Sequence, residues 1–484
     1  MGVNSITSIL QNFVLVFIIY FASIIQANAV ITHDYTVQVK NDLTGINVKI
    51  CFRSALPSKL VSYNSSAIQH IKSIALLSNG KILKNLRIDR RTITLPSIKE
   101  GDCVSYESDF NGQTSYTMSK KKASKKQQVL IDIRRWLWFP DNFNTNTHAL
   151  DITFQLPDGM NVSSPWKLLH KRKNITKYRY AQRPPQWEGL IAIGKFKTET
   201  VQKGSAMIKI AILNAKQPVN TNSIMQWVDN NINALLKTYG EFPVAELQLL
   251  IVPIGNDREP VPWGEAMRGG GDAVHVYIDE TRPIKEFLND WVLIHELSHL
   301  LHPRFDDASW LAEGLASYYQ NVLGARGGRF TRQIAWQKLH EGFERGIEGT
   351  PANKSLSQVS SSMMKTRSFM RVYWSGAAIS LLADYELRKQ SNNKQSLDTA
   401  LKELNRYSSL TSQLNNSYEI MMKLDSITQT NIFTNLYRQH LPSETFPDLT
   451  SVYSGLGLTV VNNRINFDNN APYASIRKAI MFGE

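Results

Sequence analysis

Between about Val30 and Lys216 hydrophobic and polar positions alternate in short runs. Tyr35-Thr-Val-Gln-Val-Lys40, Gly45-Ile-Asn-Val-Lys-Ile-Cys51, Asp151-Ile-Thr-Phe-Gln-Leu156 and Ile208-Lys-Ile-Ala-Ile-Leu213 are examples. A period of two places every second side chain on one face, so these runs predict half-buried strands, and their number predicts a β-sandwich-like N-terminal domain over residues 30–216. Pro157-Asp158-Gly159 marks a turn. Trp136, Trp138 and Phe139 are expected in the core or at a domain interface.

After residue 216 the period changes. Ile224, Trp227, Val228, Ile232, Leu235 and Leu236 recur at helical spacing and predict a helix over Ser223–Tyr239. Strands are expected at Leu247–Val252 and, after Gly269-Gly270-Gly271, at Ala273–Ile278. The chain then reads as mainly helical to about Leu441. This gives an α+β multidomain fold, with a second domain over 217–441 and a small C-terminal extension over 442–484. No internal repeat is evident.

The densest chemistry lies in Trp-Val-Leu-Ile-His-Glu-Leu-Ser-His-Leu-Leu-His-Pro, which ends at Pro303. Its apolar residues keep helical spacing, so His295 and His299, four apart, project from one face and can clamp one metal ion. Pro303 stops that helix, residues 304–309 form a loop, and Ser309 is placed to cap a second helix running through Tyr319.

A catalytic zinc takes three protein ligands and leaves one position for water. Glu313, early on the second helix, is the expected third ligand. His302 is the rival, but seven residues of helix separate it from His295 by roughly 10 Å, too far for three ligands from one helix. Glu296 stands beside the first ligand, where a carboxylate can take a proton from a metal-bound water. The competing reading is a pair of surface histidines satisfied by hydrogen bonds. His275 and Arg268, near the same place in the chain, are read as structural side chains, with substrate contact as the other option.

Composition adds bounds. With 484 residues, 42% hydrophobic and 20% charged, the chain can bury two or three ordinary cores. The net charge of +14 includes one dense run, Lys120, Lys121, Lys122, Lys125 and Lys126, read as a solvated loop. No nucleic-acid motif accompanies it. The apolar run Phe13–Ile25 followed by Ala27-Asn28-Ala29 predicts a signal peptide over 1–29, cleaved after Ala29, and hence an exported protein, periplasmic or secreted. The n-region has no Lys or Arg, which leaves an uncleaved anchor as the alternative. Downstream no stretch of 18 apolar residues occurs, so no membrane span is expected in the mature chain. Cys51 and Cys103 are open to either a disulfide or two buried thiols.

With these residues in view, the chain resembles the gluzincin metallopeptidases, which share a thermolysin-like zincin domain, and is most similar to the glycyl aminopeptidase family. The resemblance rests on the metal stretch, on Trp310-Leu-Ala-Glu-Gly314, and on Tyr373-Trp-Ser-Gly376 continuing through Asp384 to Arg388 and Ser396-Leu397-Asp398. It covers roughly residues 220–410 and does not extend to the PDZ domain that members often carry. It implies one Zn²⁺ on His295, His299 and Glu313, Glu296 as general base, and Tyr373 as hydroxyl donor to the oxyanion. Ser375 replaces the family's Lys. Where related aminopeptidases have a Glu that holds the substrate's free amine, this chain reads Glu265-Ala-Met-Arg268-Gly, so that anchor is absent or displaced.

The expectation is therefore an exported zinc metallopeptidase acting on peptide or protein substrates, with aminopeptidase and endopeptidase action both open. Two alternatives stand beside it: a catalytically impaired zincin-fold module that binds peptide or cell-surface partners, and a zinc hydrolase acting on a non-peptide bond. Nothing in the sequence speaks to the oligomeric state.

Overall fold

A computed structural model describes residues 30–110, 127–181, 183–215, 217–410 and 416–482. The expected signal peptide and the lysine run at 120–126 lie outside the described residues.

The alternating runs become strands β1 (Ile31–Val39), β2 (Gly45–Cys51), β3 (Ile71–Ser78), β4 (Lys81–Asn85), β5 (Cys103–Asp109), β6 (His148–Gln155), β7 (Lys167–Arg172) and β8 (Ile175–Ala181). They form one eight-stranded sheet in the order β7-β8-β6-β1-β2-β5-β3-β4. Only the β1–β6 pair is parallel among β1, β2, β5, β6 and β8. Tyr35, Val37 and Val39 of β1 and Ile46, Val48 and Ile50 of β2 turn inward and are buried, which is what period-two patterning requires. Cys51 lies directly opposite Cys103, and the two form a disulfide, which decides the alternative left open by the sequence. Trp136, Trp138 and Trp166 are fully buried, so the aromatic run is core. It packs edge-to-face with Phe154, Phe139 and Tyr180 in contacts of about 5–6 Å.

A second, five-stranded sheet supports the site. Its strands are β9 (Lys197–Lys203), β10 (Ala206–Ile212), β11 (Glu246–Pro253), β12 (Trp263–Met267) and β13 (Asp272–Ile278), ordered β9-β10-β11-β13-β12. Sequence patterning grouped the Ile208–Leu213 run with the preceding β-rich part. The structure instead pairs β10 in parallel with β11, so the partner of this strand lies beyond the helix that follows it. Helix α1 (Thr221–Tyr239) makes that crossover; it starts two residues earlier than expected because Asn220 caps it, accepting from the Ser223 amide. Every residue of β13 and all but the first of β11 are at least nine-tenths buried, since both faces of this sheet are covered. One face packs on helices. The other, through Ala211, Leu250, Val252 and Tyr277, packs on Leu130, Leu190, Ala192 and Phe196 of the preceding β-rich part.

Helices α2 (Val292–Ser298), α3 (Ser309–Arg326), α4 (Arg332–Glu348), α5 (Phe369–Ser391) and α6 (Leu397–Leu410) follow. Two corrections concern α3. Ala308, not Ser309, holds the capping position, and the Trp310 amide is satisfied by Ser360 Oγ at 3.2 Å. The helix also continues past Tyr319 to Arg326, because Asn321, Val322 and Leu323 stay buried until Gly327-Gly328 ends it. At the C-terminus, α7 (Thr450–Leu456), the hairpin Leu458–Val461/Arg464–Phe467 and α8 (Ala474–Phe482) share the hydrophobic core of the helical region through Val452, Ile465, Ile476 and Ile480. Among the described residues no helix is long and apolar enough to cross a membrane.

Candidate active site and metal centre

Helix α2 is buried on all sides. A helix with no solvated face leaves its end groups without water, so each end needs a protein partner. At the start Asp290 accepts from the Val292 amide at 2.7 Å. At the other end α2 tightens into a 3₁₀ turn, His299–Leu301, and the guanidinium of Arg268 donates to the carbonyls of His299 (2.6 Å) and His302 (2.9 Å) while pairing with Asp272 at 2.9 Å. Arg268 is thereby spent on the helix terminus. His275 is wholly buried, its Nε2 against Gln248 at 3.3 Å, and does not reach the cleft.

The structure brings His295, His299 and Glu313 together, their ligand atoms all within 4.8 Å of one another. Glu313 Oε2 is 3.3 Å from His295 Nε2 and 3.7 Å from His299 Nε2. The outer nitrogens decide which tautomers are present. His295 Nδ1 faces the amide oxygen of Gln320 at 2.7 Å, an acceptor, so Nδ1 carries the proton and Nε2 keeps its lone pair. His302 Nδ1 faces the Pro303 carbonyl at 2.7 Å, so the His302 ring, held neutral by burial, offers a lone pair at Nε2. His299 Nδ1 lies 3.3 Å from that lone pair and donates to it, which turns the His299 Nε2 lone pair toward Glu313. His302 thus stands behind His299 and outside the group of three that could hold a metal ion.

Three lone-pair donors converging without a hydrogen between them repel one another unless a positive charge sits at their centre. The titration behaviour agrees. Burial pushes the His299 pKa down to about 4. Burial works the same way on His295, but the Glu313 carboxylate beside its Nε2 and the charge of Glu296 outweigh it and raise its pKa. Burial works against the Glu313 charge, yet the two imidazoles and the Tyr373 hydroxyl hold it down to about 2. A cation is wanted at this point, and two imidazoles with one carboxylate are the donor set of a catalytic zinc. The residues present fit the metal.

Glu296, one position along, is turned by the helix toward β12. Burial, together with Glu313 and Glu265, pushes its pKa up to about 8, and the Ala266 amide donates to it. A side chain at Gly264 would collide with Glu296 and Val292, so this edge strand approaches the helix only because the residue is glycine. Sequence reading missed that position; a Gly inside a short strand was the available signal.

Tyr373 sits in the second turn of α5, which begins at Phe369. Its ring stacks on His295 at 6.1 Å and its hydroxyl is hydrogen-bonded to Glu313; burial, then that carboxylate, push its pKa well up. The placement depends on Gly314 and Gly376. A Cβ on either would overlap the backbone of the facing helix, so α3 and α5 cross at backbone contact. Beneath the crossing, Tyr318 donates to Asp384 (2.8 Å), Asp384 pairs with Arg388 (3.0 Å), Tyr319 donates to Asp398 (2.7 Å) and Asp398 pairs with Arg326 (2.9 Å). Asp384, Arg388 and Asp398 of the second recognised motif are therefore a buried network under α3, without contact to the metal donors.

Two histidines four apart on one helix and a glutamate from the next define the gluzincin arrangement of zinc metallopeptidases. Residues 294–381 match the family described as M61 glycyl aminopeptidase, so the resemblance read from the sequence holds. Solved structures agree at the level of fold. An aminopeptidase N family protein from Idiomarina loihiensis is similar with a TM-score of 0.67 at 15% identity, over 91% of this chain and 82% of that one. An M1 zinc metallopeptidase from Deinococcus radiodurans gives 0.51 at 16%, over 87% and 95%. Yeast LTA4 hydrolase in complex with bestatin gives 0.54 at 12%, over 88% and 70%. No curated relative matches the sequence. The fold is thus an α+β multidomain one, a β-rich N-terminal part followed by a zincin part that is mainly helical in its second half.

Proposed function

We propose that this protein is an exported zinc metallopeptidase that hydrolyses peptide bonds with His295, His299 and Glu313 as metal ligands and Glu296 as general base. The observation that carries the reading is the convergence of three lone pairs, each aimed by a second residue. Bound there, zinc supplies the Lewis acidity that lowers the pKa of a water and polarises a carbonyl.

The chain's own residues supply the rest. Glu296 takes the water's proton and returns it to the leaving amine; burial raises its pKa above the usual carboxylate range, which helps it hold the proton between the two transfers. Tyr373, kept neutral by burial, donates its O–H to the oxyanion that develops on the former carbonyl. Strand β12 pairs with β13 alone, so its free edge can take a substrate backbone as an added strand. Glu296→Gln tests the assignment: zinc content stays at about one equivalent while hydrolysis falls by about 10³-fold or more. Hydrolysis at the wild-type rate in that variant refutes it.

An aminopeptidase needs a carboxylate for the substrate ammonium. In the segment compared with that Glu, Glu265-Ala-Met-Arg268-Gly, Arg268 is occupied by the helix terminus. The carboxylate on β12 whose field reaches Glu296 is Glu265, whose side chain is 26% exposed and accepts from the Tyr277 hydroxyl at 3.0 Å. Glu265 is our candidate for the anchor. Glu265→Gln then removes the preference for free over acetylated N-termini, and an unchanged preference assigns the anchor elsewhere. Export is supported by the Cys51–Cys103 disulfide, since such bonds persist in oxidising compartments. N-terminal sequencing of the mature protein checks it, with Val30 expected as the first residue.

A further inference from the structure

The hairpin β3–β4 lies at the far edge of the eight-stranded sheet and takes no part in the proposed catalysis. Its turn, Asn79-Gly80, has positive φ at both residues (50° and 77°), the geometry of a tight two-residue connection. All five residues of β4 are exposed. The register passes from Leu77–Ile82 to Leu76–Lys84, so Leu83 is an extra residue in β4 and strict alternation breaks there. Here Ile82 is 69% and Leu83 63% exposed, so β4 stands clear of the core, while Ile74, Ala75 and Leu76 of β3 stay buried.

Charge surrounds this pair. Lys72, Lys81, Lys84, Arg87, Arg90 and Arg91 are all exposed, and Asp89 is the one acidic residue between Ile71 and Leu95. Lys72 pairs with Asp109 at 2.9 Å. The other five have no described carboxylate within ion-pairing distance. Lysines alone would blunt an open sheet edge against self-association. Two adjacent aliphatic side chains at the tip do the opposite, unless what they enter is apolar and lies beneath a layer of negative charge.

We propose that the β3–β4 hairpin docks this protein on an anionic lipid surface, with Ile82 and Leu83 entering the boundary between headgroups and acyl chains and the flanking Lys and Arg residues meeting the phosphates. Cationic residues within a Debye length of such a surface are attracted individually, and the aliphatic pair adds apolar burial. A soluble polyanion would engage the cations and leave the aliphatic pair in water. A second copy of the hairpin would bring like charges together.

The test is co-sedimentation of the full chain with vesicles of phosphatidylcholine alone or with roughly one third phosphatidylglycerol, and with heparin as a soluble polyanion. Wild-type protein is expected on the anionic vesicles, released by high salt. Lys81→Gln with Lys84→Gln is expected to weaken binding about 30-fold, and Ile82→Ser with Leu83→Ser by tenfold or more, with peptide hydrolysis and melting unchanged. The lysine run at 120–126 stays intact in both variants. Failure of the wild type to prefer anionic vesicles overturns the proposal, as does a serine variant that binds them like wild type. Equal capture of the wild type and the serine variant by heparin, with no vesicle binding, assigns the patch to a polyanion instead.

Discussion

Of the neighbouring histidine pairs His33–His148 and His295–His299, only the second is built for a metal. His33 and His148, on the parallel strands β1 and β6, lie with rings 5.8 Å apart and nearly parallel, against Phe52 and Phe143. Neither nitrogen of His33 nor Nε2 of His148 has a hydrogen-bond partner. Burial, reinforced by His148, pushes the His33 pKa down to about 4. His295 is as buried and His299 nearly so, yet each outer nitrogen has a partner that fixes the tautomer, and a carboxylate faces both inner ones. Burial of imidazoles makes a neutral pair; aimed lone pairs and one negative charge make a cation site.

The contrast breaks most severely at Glu313. Glu313→Ala removes the only carboxylate of the cluster and should abolish stoichiometric zinc by metal analysis while the fold, read by circular dichroism, persists. Next comes the partner that aims a ligand. Gln320→Leu removes the acceptor at His295 Nδ1 and should weaken zinc binding about 10–100-fold in a chelator competition. Zinc affinity unchanged in that variant would mean that the tautomer is fixed by something other than Gln320.

The smallest effect belongs to the other pair and sharpens the difference. The folded-state pKa of His33 lies below that of the unfolded chain, so the unfolded state binds the extra proton more readily. Stability is whole above pH about 6.5 and falls as the pH drops toward about 4, by about 3 kcal/mol from this residue. His33→Phe should flatten that part of the curve in denaturant titrations. A variant that keeps the same acid slope would place the effect elsewhere.

Much of the site was legible because its parts are local. Period 3.6 placed His295, Glu296 and His299 on one helix, and Pro303 guaranteed a short return to the helix that carries Glu313. What the sequence hid is non-local. Alternation in Ile208–Leu213 announces a strand but not that its partner is β11, across a helix. Glycine content does not reveal that Gly314 and Gly376 touch, although that contact sets Tyr373 beside Glu313. Arg268 read as structural with substrate contact as the other option, and only the buried end of α2 shows why a guanidinium is needed there. The Asp384, Arg388 and Asp398 motif was recognisable as a pattern, and its role as a buried support appears only once Tyr318, Tyr319 and Arg326 are placed above it.

X-ray absorption at the zinc edge on protein purified without added chelator tests the central claim most directly. The expected result is about one zinc per chain with two imidazole nitrogens and carboxylate oxygen at about 2.0–2.2 Å, and a spectrum that loses its carboxylate contribution in Glu313→Ala. A spectrum with three imidazoles, one with sulfur, or a wild-type chain that retains no divalent metal at all would contradict it.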